Sequence, residues 1–553
     1  MLRLWVLIAC ASICFAKTVT YNFNIGWVSA APDGYRRPVI GINGQWPIPI
    51  IEANEGDTIV VHTTNSLGNQ STSLHFHGQY QIGSCAYDGA IGAAQCPIEP
   101  GDSFTYTFIA RPAGTHWYHS HEKGQYPDGL RGLMIIHDPK WERSLNVEKQ
   151  IYLTMSDWWH TQQAYLVKDY MSPDNRNGDL PSPDAILVND SIKAPSIDFN
   201  AGKRYFVRVA NVGGLACGQF HIEGHTLSVV EVDGEKVKPH DANTIFICAG
   251  QRYGFIVKGK WAQISSTSYI IRVTTDMFTR NIPSDEQLAV IGKVVYRFLG
   301  YSLDVISDLL TFQWRPQAVL DDFSLQPLDN EPLLAPVDQT IRLGVNQQYY
   351  EGIGSRIAQG VQPWVAPKVP TLYTALSTGK AAWNETTYGP GVDPYIIRSN
   401  SIVQIYMVNS QRFPHPMHLH GHHFQLVARG SGTWNNQENL LPKFPVKRDT
   451  VVIPANGYIV LRFRADNPGV WFFHCHIDFH SVGGMVSTFI EAPDLIQKQL
   501  SIPASGTSLC SKGGKCTRGN CACQQGELSE SDAIQKCNTI FNTHSGEFGA
   551  MVY

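Results

Sequence analysis

Short runs in which apolar and polar residues alternate recur along the chain, and each is bounded by residues typical of turns. Such alternation is expected of strands that bury one face. Gly and Pro are frequent, with 48 and 32 residues, and they favour turns between strands. Strands at this spacing predict an all-β protein built from β-sandwiches; six of the runs are residues 57–63, 103–108, 204–209, 269–274, 402–408 and 458–463.

A weak internal repeat predicts that the sandwiches are related to one another. Residues 101–121 contain two Gly, then a Trp, then a His-x-His pair, and residues 457–476 repeat this order at similar distances. Ala249-Gly250 is the equivalent point in the middle of the chain, but no His-x-His follows it. We therefore expect three related domains, with chemically active histidines only in the first and the third.

The length of 553 residues is too great for one ordinary domain. A stretch rich in Pro, Asp and Leu at 314–336 resembles a linker. The net charge of −4, with 16% charged residues, gives no sign of nucleic-acid binding, which needs a clustered basic surface. We expect a monomer divided into residues 1–16 (a secretory signal), 17–145, 146–310 and 335–500 (three sandwich domains) and 501–553 (a Cys-rich C-terminal tail).

The N-terminus has the pattern of a secretory signal. Arg3 supplies the positive charge, Leu4 to Cys14 form an apolar segment, and Ala16 is a small residue at the expected cleavage site. We therefore expect a secreted, extracellular or cell-surface protein. Residues after 500 are largely polar, so we expect no membrane anchor. The acceptor tripeptides at Asn69, Asn189 and Asn384 predict a glycoprotein.

The cysteines predict disulfides if the chain is secreted. Twelve are present; two lie in the signal, and Cys475 lies between two histidines. We predict a Cys217–Cys248 disulfide and, on less evidence, Cys85–Cys96. The tail cysteines predict a disulfide-linked extension rather than a metal site. One cysteine must remain unpaired, and the sequence leaves open which one.

The most informative segment is residues 471–480, which contain His474-Cys475-His476 and then His480. On a strand, alternate side chains point to opposite faces. Cys475 would then face one way, and its two neighbouring histidines the other. One strand could thus hold a metal on each face. Two His, a Cys and a weakly bound Met form the ligand set of a blue-copper centre, and Met485 is ten residues beyond Cys475.

Further histidine pairs could complete such a site. On a strand, a His-x-His pair places both rings on one face. Five pairs occur, counting one overlap, and four of them together with His-Cys-His make a chance pattern improbable. The partner segments are His75-Phe76-His77, His119-Ser120-His121 and His415-Pro416-Met417-His418-Leu419-His420-Gly421-His422.

These four segments resemble, in the same order, the four copper signatures of multicopper oxidases, the family of laccases, ascorbate oxidases and ferroxidases. The resemblance covers both ends of the mature chain. Segments 37–47 and 124–132 are similar to ascomycete members that include conidial-pigment laccases and iron-transport ferroxidases. The resemblance implies three consecutive cupredoxin-like Greek-key β-sandwich domains, and four copper ions per chain: one type 1, one type 2 and two type 3.

The resemblance also implies a role for each ligand, by motif position. The type 1 site is His415, Cys475 and His480, with Met485 axial. The type 2 ligands are His75 and His418. The type 3 pair takes His77, His119, His121, His420, His474 and His476. The type 2 and type 3 ligands all come from His-x-His units, so we expect this cluster between the first and third domains.

Two acids occupy positions that relay protons in relatives, where dioxygen reduction consumes four protons. Asp88 stands in Tyr87-Asp88-Gly89, and Asp478 follows the His-Cys-His run. A carboxylate near a copper cluster can orient a water or pass on a proton. The alternatives remain open: Asp88 could be an ordinary turn residue and Asp478 a polar residue at a strand end.

The reductant is harder to predict. The segment beginning at Asp184 resembles one in fungal laccases whose acid hydrogen-bonds the phenol, although a turn Asp before a strand is an equal alternative. Yeast-type ferroxidases place three acids near type 1. Here the first falls at Leu180, beside Asp179; the second is near Asp276; and the third is Gln411.

We therefore expect a secreted laccase-like oxidase that couples oxidation of phenols or naphthols, possible pigment precursors, to reduction of O2 to water. The alternative enzyme is a ferroxidase that oxidises Fe(II). The alternative from another class is a copper-binding cupredoxin protein without turnover, which the complete ligand set disfavours.

Overall fold

The computed structural model describes residues 16–122, 124–260, 267–274, 278, 284, 288–298, 301–302 and 319–537. The predicted signal therefore lies almost wholly outside the described residues, as do Asp276 and residues 314–318 of the predicted linker. Strands dominate. In the described part of the chain, seven α-helices lie between or after them: α1 (Pro139–Ser144), α2 (Gln163–Tyr170), α3 (Thr371–Ser377), α4 (Asp478–Val482), α5 (Pro493–Gln499), α6 (Ala504–Lys512) and α7 (Glu530–Cys537).

The first sandwich consists of two four-stranded sheets, ordered β2-β1-β4-β6 and β3-β8-β7-β5. The second sheet carries two His-x-His segments, one on β5 and one at the end of β7. The strands are β1 (Thr18–Ala30), β2 (Arg37–Ile42), β3 (Ile51–Asn54), β4 (Thr58–Asn65), β5 (His75–His77), β6 (Ser103–Ile109), β7 (Gly114–His119) and β8 (Arg131–His137).

The second sandwich pairs a sheet ordered β10-β9-β12-β17-β14-β15 with one ordered β11-β19-β18-β13-β16, in which β20 adds to β19. Its strands are β9 (Lys149–Trp158), β10 (Ala185–Val188), β11 (Ile197–Asn200), β12 (Arg204–Asn211), β13 (Gly218–Ile222), β14 (Leu227–Val232), β15 (Glu235–Ala242), β16 (Thr244–Ile247), β17 (Arg252–Lys258), β18 (Thr267–Val273), β19 (Ala289–Phe298) and β20 (Tyr301–Ser302).

The third sandwich pairs sheets ordered β22-β21-β24-β29-β26-β27 and β23-β31-β30-β25-β28. Its strands are β21 (Gln339–Tyr350), β22 (Gly354–Ala358), β23 (Pro394–Ile397), β24 (Ile402–Asn409), β25 (His415–Leu419), β26 (Phe424–Ser431), β27 (Lys447–Arg448), β28 (Thr450–Ile453), β29 (Gly457–Arg464), β30 (Gly469–Cys475) and β31 (Val486–Glu491).

The strand predictions are confirmed, because all six alternating runs form strands: β4, β6, β12, β18, β24 and β29. β4 shows why: Ile59, Val61 and Thr63 are buried while the residues between them are more exposed. β30 differs, since every residue from Gly469 to Cys475 is buried. It is the central strand of its sheet, and both of its faces are covered. The expected fold of three sandwiches is thus confirmed.

The sandwiches pack against one another through continuous apolar cores. One core joins residues of the second and third sandwiches. Another joins the first sandwich to Val470, Trp471 and Phe472 of β30. Burial of this much apolar surface favours a fixed arrangement of the three units. Side chains at these interfaces are therefore held in register across domains.

The disulfides confirm part of the prediction. Cys217–Cys248 forms as expected, and the tail is linked by Cys516–Cys523 and Cys521–Cys537. The Cys85–Cys96 pairing is wrong. α6 packs near β6 and brings Cys510 to Cys96, 414 residues away in sequence, with their Cα atoms 5.2 Å apart. The Cys85 thiol is instead buried against the backbone of Val470, and among the described cysteines it is the one left unpaired besides Cys475.

Candidate copper sites

Three side chains of the third sandwich converge in the place predicted for type 1 copper. β25 begins at His415, β30 ends at Cys475, and α4 carries His480. The Cys475 Sγ lies 3.6 Å from Nδ1 of His415 and 3.6 Å from Nδ1 of His480, and the two Nδ1 atoms are 3.2 Å apart. One thiol and two imidazole nitrogens thus face a common point, buried from solvent.

The outer nitrogen of His415 has a defined partner. Its Nε2–H donates to Oε1 of Gln411 at 2.9 Å, and the Gln411 amide donates to Gln347. This bond leaves the lone pair of Nδ1 directed at the site. Burial raises the pKa of the Cys475 thiol and lowers the pKa of His480 to about 3. A bound cation would compensate for the cost of a buried thiolate.

Met485 lies beside this site, as its predicted axial role requires. Its backbone N–H donates to the carbonyl of His480 at 2.9 Å, and its carbonyl accepts from the N–H of Cys475 at 3.1 Å. The side chain is fully buried. Axial coordination by its sulfur remains a prediction.

The eight remaining predicted ligands meet between the first and third sandwiches. Strand pairing sets their positions: His75 is opposite His119 across β5 and β7, and His418 is opposite His474 across β25 and β30. All eight rings are buried. The structure thus brings together the complete predicted set: His75, His77, His119, His121, His418, His420, His474 and His476.

Outward-facing hydrogen bonds fix the tautomer of most of these rings. Carbonyl and carboxylate oxygens only accept hydrogen bonds, so a ring nitrogen that contacts one must carry the proton. The other nitrogen then has a lone pair directed inward. Such bonds join Nδ1 of His75 to Asp88 O (2.8 Å), of His119 to Ser120 O (2.9 Å), of His418 to Asp449 O (3.0 Å), of His474 to Cys475 O (2.8 Å) and of His420 to Asp88 Oδ2 (2.8 Å).

The inward nitrogens form an arrangement that fits metal ions. Nε2 of His420 and Nε2 of His474 are 3.1 Å apart, and both carry lone pairs. Two lone pairs at this distance repel each other unless a cation lies near both. Four other buried Nε2 atoms, those of His75, His119, His121 and His418, have no hydrogen-bond partner. Imidazole is a favoured ligand of copper, so the donor set fits the predicted ions.

The surroundings keep these rings neutral, as ligands must be. Burial is the largest effect, and mutual repulsion adds to it. Together they lower the pKa of His121 to about 3, and they lower the pKa of His119 and of His474 well below the usual value.

Asp88 holds two of the rings from outside. Its carboxylate contacts Nδ1 of His420 at 2.8 Å and Nδ1 of His75 at 3.3 Å. Burial alone would raise the pKa of this acid, but the two imidazoles together hold it far below its usual value. Such an outer carboxylate orients its ligands and increases their basicity. Asp88 therefore does more than stabilise a turn.

Asp478 lies beside a small cavity next to the histidine cluster. The cavity, of about 20 Å³, is lined by residues that include His119, His121, His474 and Asp478, and a space of this size holds about one water. Asp478 begins α4, and its Oδ2 has no hydrogen-bond partner. Burial and two neighbouring acids, Asp157 and Asp128, raise its pKa to about 8.

The acids considered for substrate binding are placed differently. Asp184 accepts the backbone N–H of His160 at 2.7 Å, which is the behaviour of a turn residue before β10. Its side chain is 44% exposed. Leu180 is buried, whereas the neighbouring Asp179 is partly exposed.

Two residues at the histidine cluster were not predicted from the sequence. Asp449, between β27 and β28, contacts the outer nitrogens of His77 and His418. Arg252, at the start of β17, pairs with Asp449 from the second sandwich. Neither residue lies in a histidine motif, so no direct signal for them was present in the sequence. The one available hint was that Asp449 immediately precedes the strand-like residues 450–453.

Comparison with known proteins agrees with the geometry. Three multicopper oxidase family models match residues 24–141, 149–297 and 364–495. The chain belongs to the multicopper oxidase family. It is therefore an oxidoreductase with copper cofactors that uses O2 and a reducing substrate, as the sequence predicted.

Several similar proteins are named for iron transport. The chain is 41% identical to the iron transport multicopper oxidase fetC of Epichloe festucae, covering 94% of this chain and 83% of that protein. It is 40% identical to the iron transport multicopper oxidase FET3 of Gibberella zeae, over 92% and 81%. The crystal structure of Fet3p, a multicopper oxidase that functions in iron import, matches with TM-score 0.86 and 33% identity, over 91% and 96%.

A laccase is also similar, at a greater distance: the Botrytis aclada enzyme matches with TM-score 0.76 and 28% identity, over 89% and 90%. The laccase-like interpretation, with phenolic pigment precursors as substrates, is therefore wrong, because the more similar proteins are named for iron transport. The reason is chemical. The copper motifs are common to laccases and ferroxidases, so they carry no information about the reductant. The remaining argument rested on Asp184 and on Leu180 and Gln411, which stand where yeast-type ferroxidases have acids.

Proposed function

We propose that the protein is a ferroxidase. It oxidises four Fe(II) to Fe(III) and reduces one O2, with four protons, to two waters. The observation that carries this proposal is the similarity, over more than nine-tenths of the chain, to proteins named as iron transport multicopper oxidases.

We assign His415, Cys475, His480 and axial Met485 to type 1 copper. His75 and His418 are assigned to type 2; the type 3 pair takes His77, His119, His121, His420, His474 and His476. Copper at these positions supplies a one-electron acceptor near the surface and a centre for O2 reduction inside. Cys475 is covalently joined to His474 and His476, so a few bonds connect the two sites.

Two buried acids, Asp478 and Asp88, assist the reduction of O2, which consumes protons. Asp478 faces the cavity beside the type 3 histidines, where its carboxyl group can hold a water or transfer a proton. Asp88 orients His75 and His420 from the opposite side. These roles for Asp478 and Asp88 are supported by their contacts and burial.

The reductant is expected to approach near the outer edge of His415. A chain of hydrogen bonds runs from His415 through Gln411 to Gln347, whose amide donates to the carbonyl of Asn177 at 2.8 Å. Asp179 is two residues further along the same loop. A carboxylate is one of the groups that bind Fe(II) in proteins. We propose that the Asp179 carboxylate helps to bind it here, where Gln411 replaces the acid found in yeast-type ferroxidases.

The experiment compares oxygen uptake with Fe(II) and with a dimethoxyphenol for the wild type, Asp179→Ala and Asp184→Ala. We expect efficient Fe(II) oxidation, and a KM for Fe(II) about 10-fold higher in Asp179→Ala, equivalent to about 1.4 kcal/mol of binding. Asp184→Ala is the matched control, a nearby acid in a turn, and should leave Fe(II) kinetics unchanged. Faster turnover of the phenol than of Fe(II) would contradict the proposal.

We also propose that the protein acts outside the cell or at its surface. The predicted signal and the four disulfides support an oxidising compartment. Among the described residues, none of the helices has the length and apolar character required to cross a membrane.

A further inference from the structure

The second sandwich contributes none of the proposed copper ligands, yet one of its side chains reaches the centre of the molecule. Arg252 begins β17 and is completely buried. Its guanidinium group uses all five N–H donors. Nε donates to Thr115 O (2.9 Å), one terminal nitrogen to Gly250 O (2.9 Å) and Asp449 Oδ1 (2.7 Å), and the other to Asp233 O (3.0 Å) and Asp449 Oδ2 (2.7 Å).

These acceptors come from all three sandwiches. Thr115 belongs to the first, Gly250 and Asp233 to the second, and Asp449 to the third. A planar group with five bonds has little freedom to rotate. Arg252 therefore fixes the position of the Asp449 carboxylate with respect to the first and second sandwiches.

Asp449 in turn holds two of the proposed copper ligands. Its Oδ1 accepts from Nε2 of His77 at 3.2 Å, and its backbone carbonyl accepts from Nδ1 of His418 at 3.0 Å. The Thr450 hydroxyl donates to the same Oδ1 at 2.8 Å. His77 belongs to the first sandwich and His418 to the third, so this single residue orients rings from both sides of the cluster.

Two glycines show how closely the second sandwich approaches the cluster. A Cβ atom on Gly250 would lie 2.8 Å from the His476 ring and 3.2 Å from that of His77. A Cβ atom on Gly78, which has a φ of +94°, would lie 2.6 Å from the Arg252 guanidinium. Both positions therefore need glycine for the arginine and the rings to pack as they do.

We propose that Arg252 is a positioning residue for the trinuclear cluster: through Asp449 it fixes the orientation of His77 and His418. The middle domain thereby determines copper binding at a site to which it donates no ligand. This inference rests on the proposed ligand assignment but does not depend on which reductant the enzyme uses.

The test compares Arg252→Lys with Arg208→Lys. Arg208 is a suitable control because it is equally buried in the neighbouring strand β12 and also bonds Thr115, but its other partners are Gln150, Glu142 and Glu231 rather than Asp449. Copper per chain, the type 2 electron paramagnetic resonance signal and the blue type 1 absorption are measured after dialysis against a chelator, with no Fe(II) present.

We expect Arg252→Lys to keep the blue absorption and to bind the copper ions of the eight-histidine cluster about 10- to 100-fold more weakly, with an altered type 2 resonance signal. Arg208→Lys should lower thermal stability and leave that signal unchanged. If Arg252→Lys does not fold, Asp449→Asn, which keeps the side-chain size, takes its place and should give the same loss.

The proposal would be overturned if the variant that folds, Arg252→Lys or Asp449→Asn, kept the wild-type copper content and the wild-type type 2 signal. An equal loss in Arg208→Lys would also overturn it, because the effect would then be one of general stability. Because copper binding is measured without iron, failure to oxidise Fe(II) would refute the proposed function and leave this inference standing.

Discussion

The two candidate copper sites differ in how they are held together. The proposed ligands of the type 1 site all come from one sandwich, on two paired strands and the short helix that follows. The eight histidines of the cluster come from the first and third sandwiches, and the residues that orient them include Arg252 from the second. The first site needs one correctly folded domain, whereas the second needs three domains in the correct relative positions.

The difference extends to the outer hydrogen bonds. At the type 1 site, Gln411 is the outer partner of His415 and leads towards the surface. At the cluster, most rings are held by buried backbone carbonyls or by Asp88 and Asp449. The type 1 site is therefore suited to exchange electrons with an external reductant, and the cluster to keep fixed ligands in a closed interior.

The largest expected effect comes from removing the group that connects the two sites. Cys475→Ser should abolish the blue absorption and oxidation of Fe(II), because a hydroxyl is a poor substitute for a copper thiolate. The eight-histidine cluster should still bind its copper ions, which resonance spectroscopy and copper analysis would detect. Loss of both sites together would show that they are not independent.

A smaller effect is expected from Asp478→Asn, which should alter only the proton transfer that accompanies O2 reduction at the cluster. Reoxidation by O2 should slow by about 100-fold, because general acid catalysis typically contributes at least this much. Reduction of type 1 copper by Fe(II) should stay normal, and stopped-flow absorption separates the two steps. Asp393→Asn is the control, since that carboxylate of the third sandwich is also buried but accepts from the Ser487 hydroxyl at 2.6 Å. Unchanged reoxidation in Asp478→Asn would remove this acid from the mechanism.

The smallest effect on activity is expected from opening the Cys96–Cys510 link between the first sandwich and the tail. Replacing both cysteines by Ser should lower stability by about 2–5 kcal/mol. On heating, the type 2 signal should disappear before the blue absorption, because only the cluster needs the domains docked. Replacing Cys516 and Cys523, seven residues apart within the tail, should not separate the two transitions. If both signals disappeared at the same temperature in the Cys96/Cys510 variant, the cluster would not depend on domain docking more than the type 1 site does.

Much of the fold could be predicted because its information is local. Alternation of apolar residues along runs such as 458–463 reports directly which face of a strand is buried, and β29 forms there. The Cys217–Cys248 pairing, between partners 31 positions apart in sequence, was also predicted. The partner of Cys96 was not, because Cys510 reaches it only after three sandwiches have folded and the tail has packed back on the first.

The sequence by itself determined which side chains are candidates for binding copper, and its resemblance to the family implied how they divide between two sites. Because strand side chains alternate faces, His474, Cys475 and His476 could point in only two directions. Tertiary structure alone decided which ring nitrogens carry protons and which distant charges hold the rings. Those choices depend on contacts such as Arg252 with Asp449, 197 residues apart. Such pairs leave no periodic pattern in the chain, because docking between domains, not the geometry of one strand, brings them together.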